Sequence, residues 1–174
     1  MILLDILSDG IFAAVAAIGF GAISDPPLRA FPSIALLAAI GHTLRFSLMT
    51  YCGLDIATAS LCASFTIGMG SLLLGKRIYC PMTVLYIPAL LPMIPGMYAY
   101  RIVFSLIMFM QNLQVPELQR KYLFDLFTNT IITSSVIFML AVGATIPLFL
   151  FINRAFSMTR HEDKHNVWKY SGKQ

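Results

Sequence analysis

The chain has 174 residues, of which 58% are hydrophobic and only 11% are charged, and its mean hydropathy is +0.79. These values exclude an ordinary soluble domain, because so apolar a chain needs lipid or other helices around it. The formal net charge of +4 is small enough that no nucleic-acid partner is expected. Three cysteines, odd in number and without a C-x-x-C pair, argue against a disulfide framework or a zinc site, and no metal or cofactor is expected.

Five apolar segments are long enough to cross a bilayer as helices, since a core about 30 Å thick needs about 20 residues. The sequence therefore predicts an all-α integral membrane protein, with a transmembrane domain over residues 1–153 and a basic tail over 154–174. The first ten residues contain Asp5 and Asp9 but no Lys or Arg. They lack the basic start of a signal peptide, so the first helix is expected to remain in the protein. The five spans are predicted at residues 7–24, 30–51, 56–75, 82–110 and 126–153.

The basic residues of the loops predict the orientation, because Lys and Arg are retained on the cytoplasmic side. With five spans, eight basic residues fall on the side of the C-terminus and three on the other side. We therefore expect the N-terminus outside and the tail in the cytoplasm, with Arg101 as the one basic residue within a span. The eight are Arg29, Lys76, Arg77, Arg154, Arg160, Lys164, Lys169 and Lys173, and the three are Arg45, Arg120 and Lys121.

The fourth span is interrupted by helix-breaking residues, which are Pro88, Pro92, Pro95 and Gly96. Each proline removes an amide donor and clashes with the carbonyl four residues earlier, so the carbonyls of Val84, Pro88 and Leu91 are expected to lose their helical partners. In hydrocarbon such groups must be buried in protein or line a wet cavity. The span is therefore predicted to be broken, and the break is a candidate binding site for a polar substrate.

Pro95 and Gly96 favour the start of a second half-helix inside the membrane. Its free amides and positive dipole end favour a carboxylate, and Arg101 lies about one and a half turns further along the helix. Together these residues describe a site for an anion or a zwitterion. The alternative is a kinked helix whose Arg101 pairs with an acid or reaches the interface.

His42 and Arg45 are three residues apart and share a face of the second predicted helix. They are candidates for a proton relay or for contact with a substrate carboxylate. The alternative is a packing histidine beside an arginine that reaches the interface. No acid near His42 in sequence completes a catalytic triad, and the chain is expected not to be an enzyme.

Two further patterns predict contacts between helices. Ala13, Ala17 and Gly21 recur every four residues, which favours close packing of the first helix against a neighbour. The fifth span opens with Thr, Asn and Ser side chains that are too polar for a lipid-facing surface. Asn129 is the best candidate among them for a functional contact.

The order of these motifs resembles the threonine/serine exporter (ThrE) family and, within it, the small YjjB-type membrane subunit. The resemblance is carried by Gly19-Phe20, Pro26-Pro27-Leu28-Arg29-Ala30, Gly41-His42 with Arg45, and Ile87-Pro88 to Pro92-x-x-Pro95-Gly96 with Tyr100. It covers nearly all of residues 1–153, and the motif of the fourth span is its specific part. By motif match it implies functional roles for Pro88, Pro92, Pro95, Gly96, Tyr100, Arg29, His42 and Arg45.

The resemblance implies export of small metabolites that carry a carboxylate, with threonine and serine as expected substrates, across a bacterial plasma (inner) membrane. Because fused family members have further N-terminal regions, it also implies a separate larger subunit, YjjP-type, lying in the opposite orientation. Two alternatives stay open, which are an exporter of dicarboxylates such as succinate and a scaffold that stabilises its partner without handling substrate. The residues also leave open whether copies assemble into a higher oligomer.

Overall fold

The computed structural model describes residues 2–151, so the tail predicted at 154–174 and the end of the fifth predicted span lie outside the described residues. The described part of the chain consists of helices and short connections. Four helices are long and apolar enough to cross a membrane, or five spans if a bent pair counts as one. The prediction of an all-α membrane protein is confirmed. The helices are α1 (Ile2–Ile23), α2 (Phe31–Tyr51), α3 (Ile56–Ile78), α4 (Met82–Leu90), α5 (Gly96–Gln111) and α6 (Pro116–Leu150).

Helices α1 to α4 form a bundle with an apolar core, in which Ile34, Ile67 and Leu85 are fully buried. The predicted small-residue stripe of α1 is confirmed, since Ala13 and Ala17 are buried. At Gly21, an added Cβ would lie 3.5 to 3.8 Å from Ile34, Phe31 and Pro88. The small residues therefore let α1 lie close to α2 and α4.

Helix α3 begins at a side-chain cap and ends in a left-handed residue. The Asp55 carboxylate accepts hydrogen bonds from the amides of Ala57 and Thr58, each at 3.0 Å, and from the Thr58 hydroxyl. These are the donors that a helix start leaves unsatisfied. At the other end Tyr79 adopts φ 53°, and Arg29 donates to its carbonyl at 3.4 Å. This bond places the start of α2 and the start of α4 at the same end of the bundle.

Helix α6 has 35 residues, about 52 Å, and is therefore much longer than the bilayer core. It begins at Pro116 rather than near residue 126, because proline suits a first helical turn and Glu117 complements the dipole there. Its contact with α3 is close. Ser64 donates to the Met139 carbonyl at 3.3 Å, and an added Cβ at Gly143 would collide with the Ser64 hydroxyl.

Helix α5 packs chiefly against α6, and Phe104 meets Tyr122 edge to face at 6.4 Å. Many large apolar side chains of these two helices are exposed, among them Phe104, Ile107, Phe124 and Phe138. Such surfaces suit lipid or another membrane subunit.

Candidate functional site

The fourth predicted span is broken, as the sequence predicts. Helix α4 ends at Leu90, a 3₁₀ turn covers Leu91–Met93, and α5 begins at Gly96 with its direction changed by 52°. Ile94 is extended (φ −61°, ψ 128°), which is the conformation that a following proline imposes. Around Pro95 (φ −78°, ψ 74°) the Gly96 amide donates to the Ile94 carbonyl at 2.8 Å, forming an inverse γ-turn.

The prolines predict that the Leu91 carbonyl loses its α-helical partner at residue 95, and a bond of the 3₁₀ turn replaces it, because the Ile94 amide donates to that carbonyl at 3.2 Å. The break also affects a carbonyl that the prolines alone do not predict. The Met93 carbonyl loses the helical partner that a continuous helix would offer at residue 97. Arg45 of α2 supplies the replacement, since its Nη1 donates to that carbonyl at 2.8 Å. The arginine of α2 thus holds the end of the interrupted helix.

An acid from α1 completes this cluster. Asp9 Oδ2 lies 3.2 Å from His42 Nδ1, and the two side chains are 35% and 10% exposed. Arg45 acts electrostatically on both residues. We call Asp9, His42 and Arg45 the charged cluster. The sequence does not pair Asp9 with His42, although an acid inside the first predicted span, 7–24, is itself a signal of function.

The charged cluster and the break lie about midway along the helices, which corresponds to the middle of a membrane that these helices cross. Phe31 and His42 are eleven residues apart, as are Met82 and Met93, and both helices begin at the end where Arg29 meets Tyr79. Eleven residues of helix span about 16 Å, about half of the hydrocarbon core.

Close packing explains why the Gly41-His42 motif has a glycine at its first position. An added Cβ there would collide with the Ile67 side chain and lie 3.0 Å from the Met93 methyl group. A larger residue would therefore press on the 3₁₀ turn beside the charged cluster. Glycine at this position lets α2 approach the break.

The other predicted site residues on the fourth span differ in how far they are buried. Pro88 and Pro95 are buried at or near the break, Pro92 is half-buried and Gly96 is exposed. Tyr100 is 63% exposed and stacks on Phe104.

Arg101 is exposed, and its guanidinium lies 5.8 Å from the Tyr98 ring. Within the described residues, Tyr100 and Arg101 make their ring and cation contacts with neighbours on α5. The structure therefore does not join these two to His42 and Arg45.

Asn129 is 9% exposed, as the polar start of the fifth predicted span led us to expect. Its amide donates to the Asp125 carbonyl of its own helix at 2.6 Å. One turn later, the hydroxyl of Thr133 is buried without a hydrogen-bond partner. A functional contact of Asn129 stays a prediction.

Two small cavities flank Ile87, and both are mainly apolar. One, of about 160 Å³, lies between the break and α6, where Leu90, Ile94 and Ile137 line it. The other, of about 170 Å³, is lined by Ser24, Thr83, Val84, Ile87 and Pro88. Neither is lined by a charged side chain, so the polar chemistry of the described residues is concentrated in the charged cluster.

A multi-pass helical protein with a span broken at mid-membrane and charged side chains beside the break has the architecture of a secondary transporter. The comparison with known families agrees, since the model for the family described as Threonine/Serine exporter, ThrE, matches residues 9–150. The chain belongs to this family of transporters, and the matched range contains the whole charged cluster and the break. No solved structure matches the chain.

Proposed function

We propose that this protein is the membrane subunit of a secondary exporter for small carboxylate-bearing metabolites of the threonine/serine type, working with a larger subunit. The observation that carries the proposal is the charged cluster at the mid-membrane break. Among the residues that the structure describes, Arg45 is the cation that bonds to the break, so it is the group that would attract a substrate carboxylate. The carbonyls of Pro92 and Met93 would accept from an ammonium or hydroxyl group of the same substrate.

The charge balance of the cluster favours an amino acid over a dicarboxylate. With His42 neutral, Asp9 and Arg45 cancel, and a zwitterion also carries no net charge. A dicarboxylate would place two negative charges beside Asp9 with one arginine to compensate them. Burying an uncompensated charge costs several kcal/mol, which is similar to the cost of removing one partner of a buried ion pair. Threonine and serine are therefore the proposed substrates, with succinate as the weaker competitor.

The proposed partner is the larger YjjP-type subunit, in a bacterial inner membrane. Five spans with both α5 and α6 exposed suit one unit of an inverted-repeat transporter. The basic residues of the loops support an N-terminus outside and a C-terminus in the cytoplasm. Arg45, which the sequence prediction counted with the outer loops, lies inside α2 instead, so the outer side keeps only Arg120 and Lys121 of the three and the asymmetry increases. The apolar side chains of α5 and α6 offer a surface on which a second subunit would pack.

Efflux of preloaded, labelled threonine, serine and succinate tests this function in cells that express the chain with and without the larger subunit. We expect efflux of threonine and serine when both chains are present, and slower efflux of succinate. Correct membrane insertion of both chains without efflux of any of the three would contradict transport and favour the scaffold.

The double variant Pro92→Ala and Pro95→Ala tests whether the break itself is needed. It should abolish efflux while leaving insertion intact, because alanine restores the amides that a continuous helix requires. Pro116→Ala is the matched control. It replaces a proline in the first turn of α6, where the missing amide has no helical partner to lose, and should leave efflux unchanged. Unchanged efflux in the double variant would remove the break from the transport site.

A further inference from the structure

We infer that Asp9 and His42 form a proton-carrying pair that transmits protonation at the end of the membrane where α1 begins to the helix break. The inference rests on the proposed export function and assigns the residues of this chain that carry its coupling proton. It stands on the arrangement of three side chains and two backbone carbonyls.

Exposure falls along the pair from the membrane surface inward. Asp9 is seven residues from the start of α1, about 10 Å along the helix, and its side chain is 35% exposed. His42 is 10% exposed and lies at mid-membrane beside the break. The carboxylate is therefore the more accessible member of the pair, and the imidazole 3.2 Å away is the more buried one.

The second ring nitrogen of His42 is the atom of the pair that lacks a partner. Nε2 is buried and has no hydrogen-bond partner, although the Pro92 carbonyl lies close to the ring. When Nδ1–H donates to ionised Asp9, a neutral ring presents a lone pair at Nε2, and a lone pair cannot bond to a carbonyl oxygen. After the pair takes up one proton from water, both ring nitrogens carry hydrogen and Nε2–H can donate to Pro92.

The same proton acts on Arg45. A positive imidazolium three residues away on the same helix face repels the guanidinium, which weakens the bond from Arg45 to the Met93 carbonyl. One proton therefore favours a new bond to the break from His42 and disfavours the existing bond from Arg45. Protonation therefore has opposite effects on the two hydrogen bonds to the broken helix. It can shift the equilibrium between two conformations of the break, which is what a coupled transporter requires.

The surroundings of the pair contain few other charges. Of the elements packed against His42, α2 contributes Arg45, α1 contributes Asp9 and the exposed Asp5, and the 3₁₀ turn contributes carbonyls alone. Helix α4 carries a single ionisable side chain, Tyr86. The ionisable groups of α3 are the exposed thiol of Cys62 and the residues at its two ends, Asp55, Lys76 and Arg77.

The test measures serine efflux from preloaded cells that express both subunits, in acidic and in neutral external medium. We expect acidification to accelerate wild-type efflux several-fold. The ratio of the two rates should fall to about one in Asp9→Asn and in His42→Gln, because a rate ratio of one corresponds to no free-energy contribution from the proton gradient. Asp5→Asn is the matched control, one turn away on the same helix and exposed, and should keep the wild-type ratio.

A loss of folding is separated from a loss of coupling in two ways. Asp9→Glu keeps a carboxylate and should retain a ratio clearly above one. In addition, wild-type serine efflux into weakly buffered medium should remove protons from that medium, as read by a pH-sensitive dye, and efflux without proton movement overturns the inference. Acid stimulation that persists in both Asp9→Asn and His42→Gln overturns it while leaving the proposed function intact. Failure of the wild-type pair to export any substrate would instead refute the proposed function.

Discussion

The close contact between α3 and α6 gives the sharpest prediction of stability. Helix α5 packs chiefly on α6, so this contact attaches the α5–α6 pair to the bundle that contains the charged cluster. Gly143 lies at its centre. An added Cβ would collide with the Ser64 hydroxyl and would lie 2.7 Å from the Leu61 carbonyl and 3.2 Å from the Phe65 amide. Two of these three atoms belong to backbone and cannot rotate away.

Gly143→Ala should therefore destabilise the protein by about 1–3 kcal/mol, the usual cost of overpacking. Gly19→Ala is the matched control, because nothing lies within 4 Å of a Cβ added there. Alanine favours helix over glycine by at most about 1 kcal/mol, so this control should be neutral or slightly stabilised. The two variants thus make the same chemical change, and only Gly143→Ala is expected to destabilise the protein.

Thiol labelling provides the assay. Cys80 is buried, whereas Cys52 and Cys62 are exposed, so Cys52→Ser and Cys62→Ser leave one thiol that reacts on unfolding. Burial also raises the pKa of the Cys80 thiol, which further slows labelling of the folded protein because the thiolate is the reactive form. On heating, the midpoint temperature of Cys80 labelling should be about 2–4 °C lower in Gly143→Ala for each kcal/mol lost from the free energy of unfolding. Equal midpoints for Gly143→Ala and Gly19→Ala would refute the packing argument.

Three further predictions use the same protein. Arg45→Met should lower the Cys80 labelling midpoint, because it leaves a buried carbonyl unpaired at a cost of about 1–3 kcal/mol; an unchanged midpoint would mean that this bond is not formed. Cys52, exposed after α2, should react with a membrane-impermeant maleimide in intact cells, and protection until lysis would reverse the proposed orientation. Hydrogen bonds from the Thr58 hydroxyl and nearby amides lower the pKa of Asp55, so its stabilisation should be lost only as the pH falls through that depressed value. Asp55→Ala should lack this acid-dependent step, and identical acid profiles would contradict the role of the cap.

The break could be predicted from sequence because its cause is local. Proline restricts the residue before it and removes its own amide, and Ile94 and Pro95 adopt the conformations that follow. Which carbonyl needs a partner is not local. It depends on the 3₁₀ turn that satisfies Leu91 and on Arg45 reaching Met93 from another helix.

The charged cluster shows what periodicity leaves out. His42 and Arg45 could be placed on one face from their spacing, but the partner of His42 lies 33 residues earlier in the chain. No helical period connects two separate helices, so Asp9 could be found only as an acid within an apolar span. Arg101 shows the converse, since α5 packs on α6 beyond the 52° bend and the contact of Arg101 is with Tyr98 of its own helix.

The start of α6 was missed for a different reason. The polar residues from Glu117 to Asp125 suggested a connection between spans, because hydropathy marks where a helix leaves the bilayer. It does not mark where the helix begins. A helix that extends beyond the membrane shows polar residues in its first turns, and Pro116 with Glu117 is the local signal that it has already started.

We propose that Arg45, the cation that bonds to the Met93 carbonyl at the break, is part of the export site. The most direct test is efflux of labelled threonine from cells expressing both subunits, comparing wild type with Arg45→Gln at equal amounts in the membrane. We expect efflux to fall at least about tenfold, which corresponds to about 1.4 kcal/mol of lost interaction with the substrate or the break. Efflux at the wild-type rate in Arg45→Gln would contradict the claim and move the transport site away from the charged cluster.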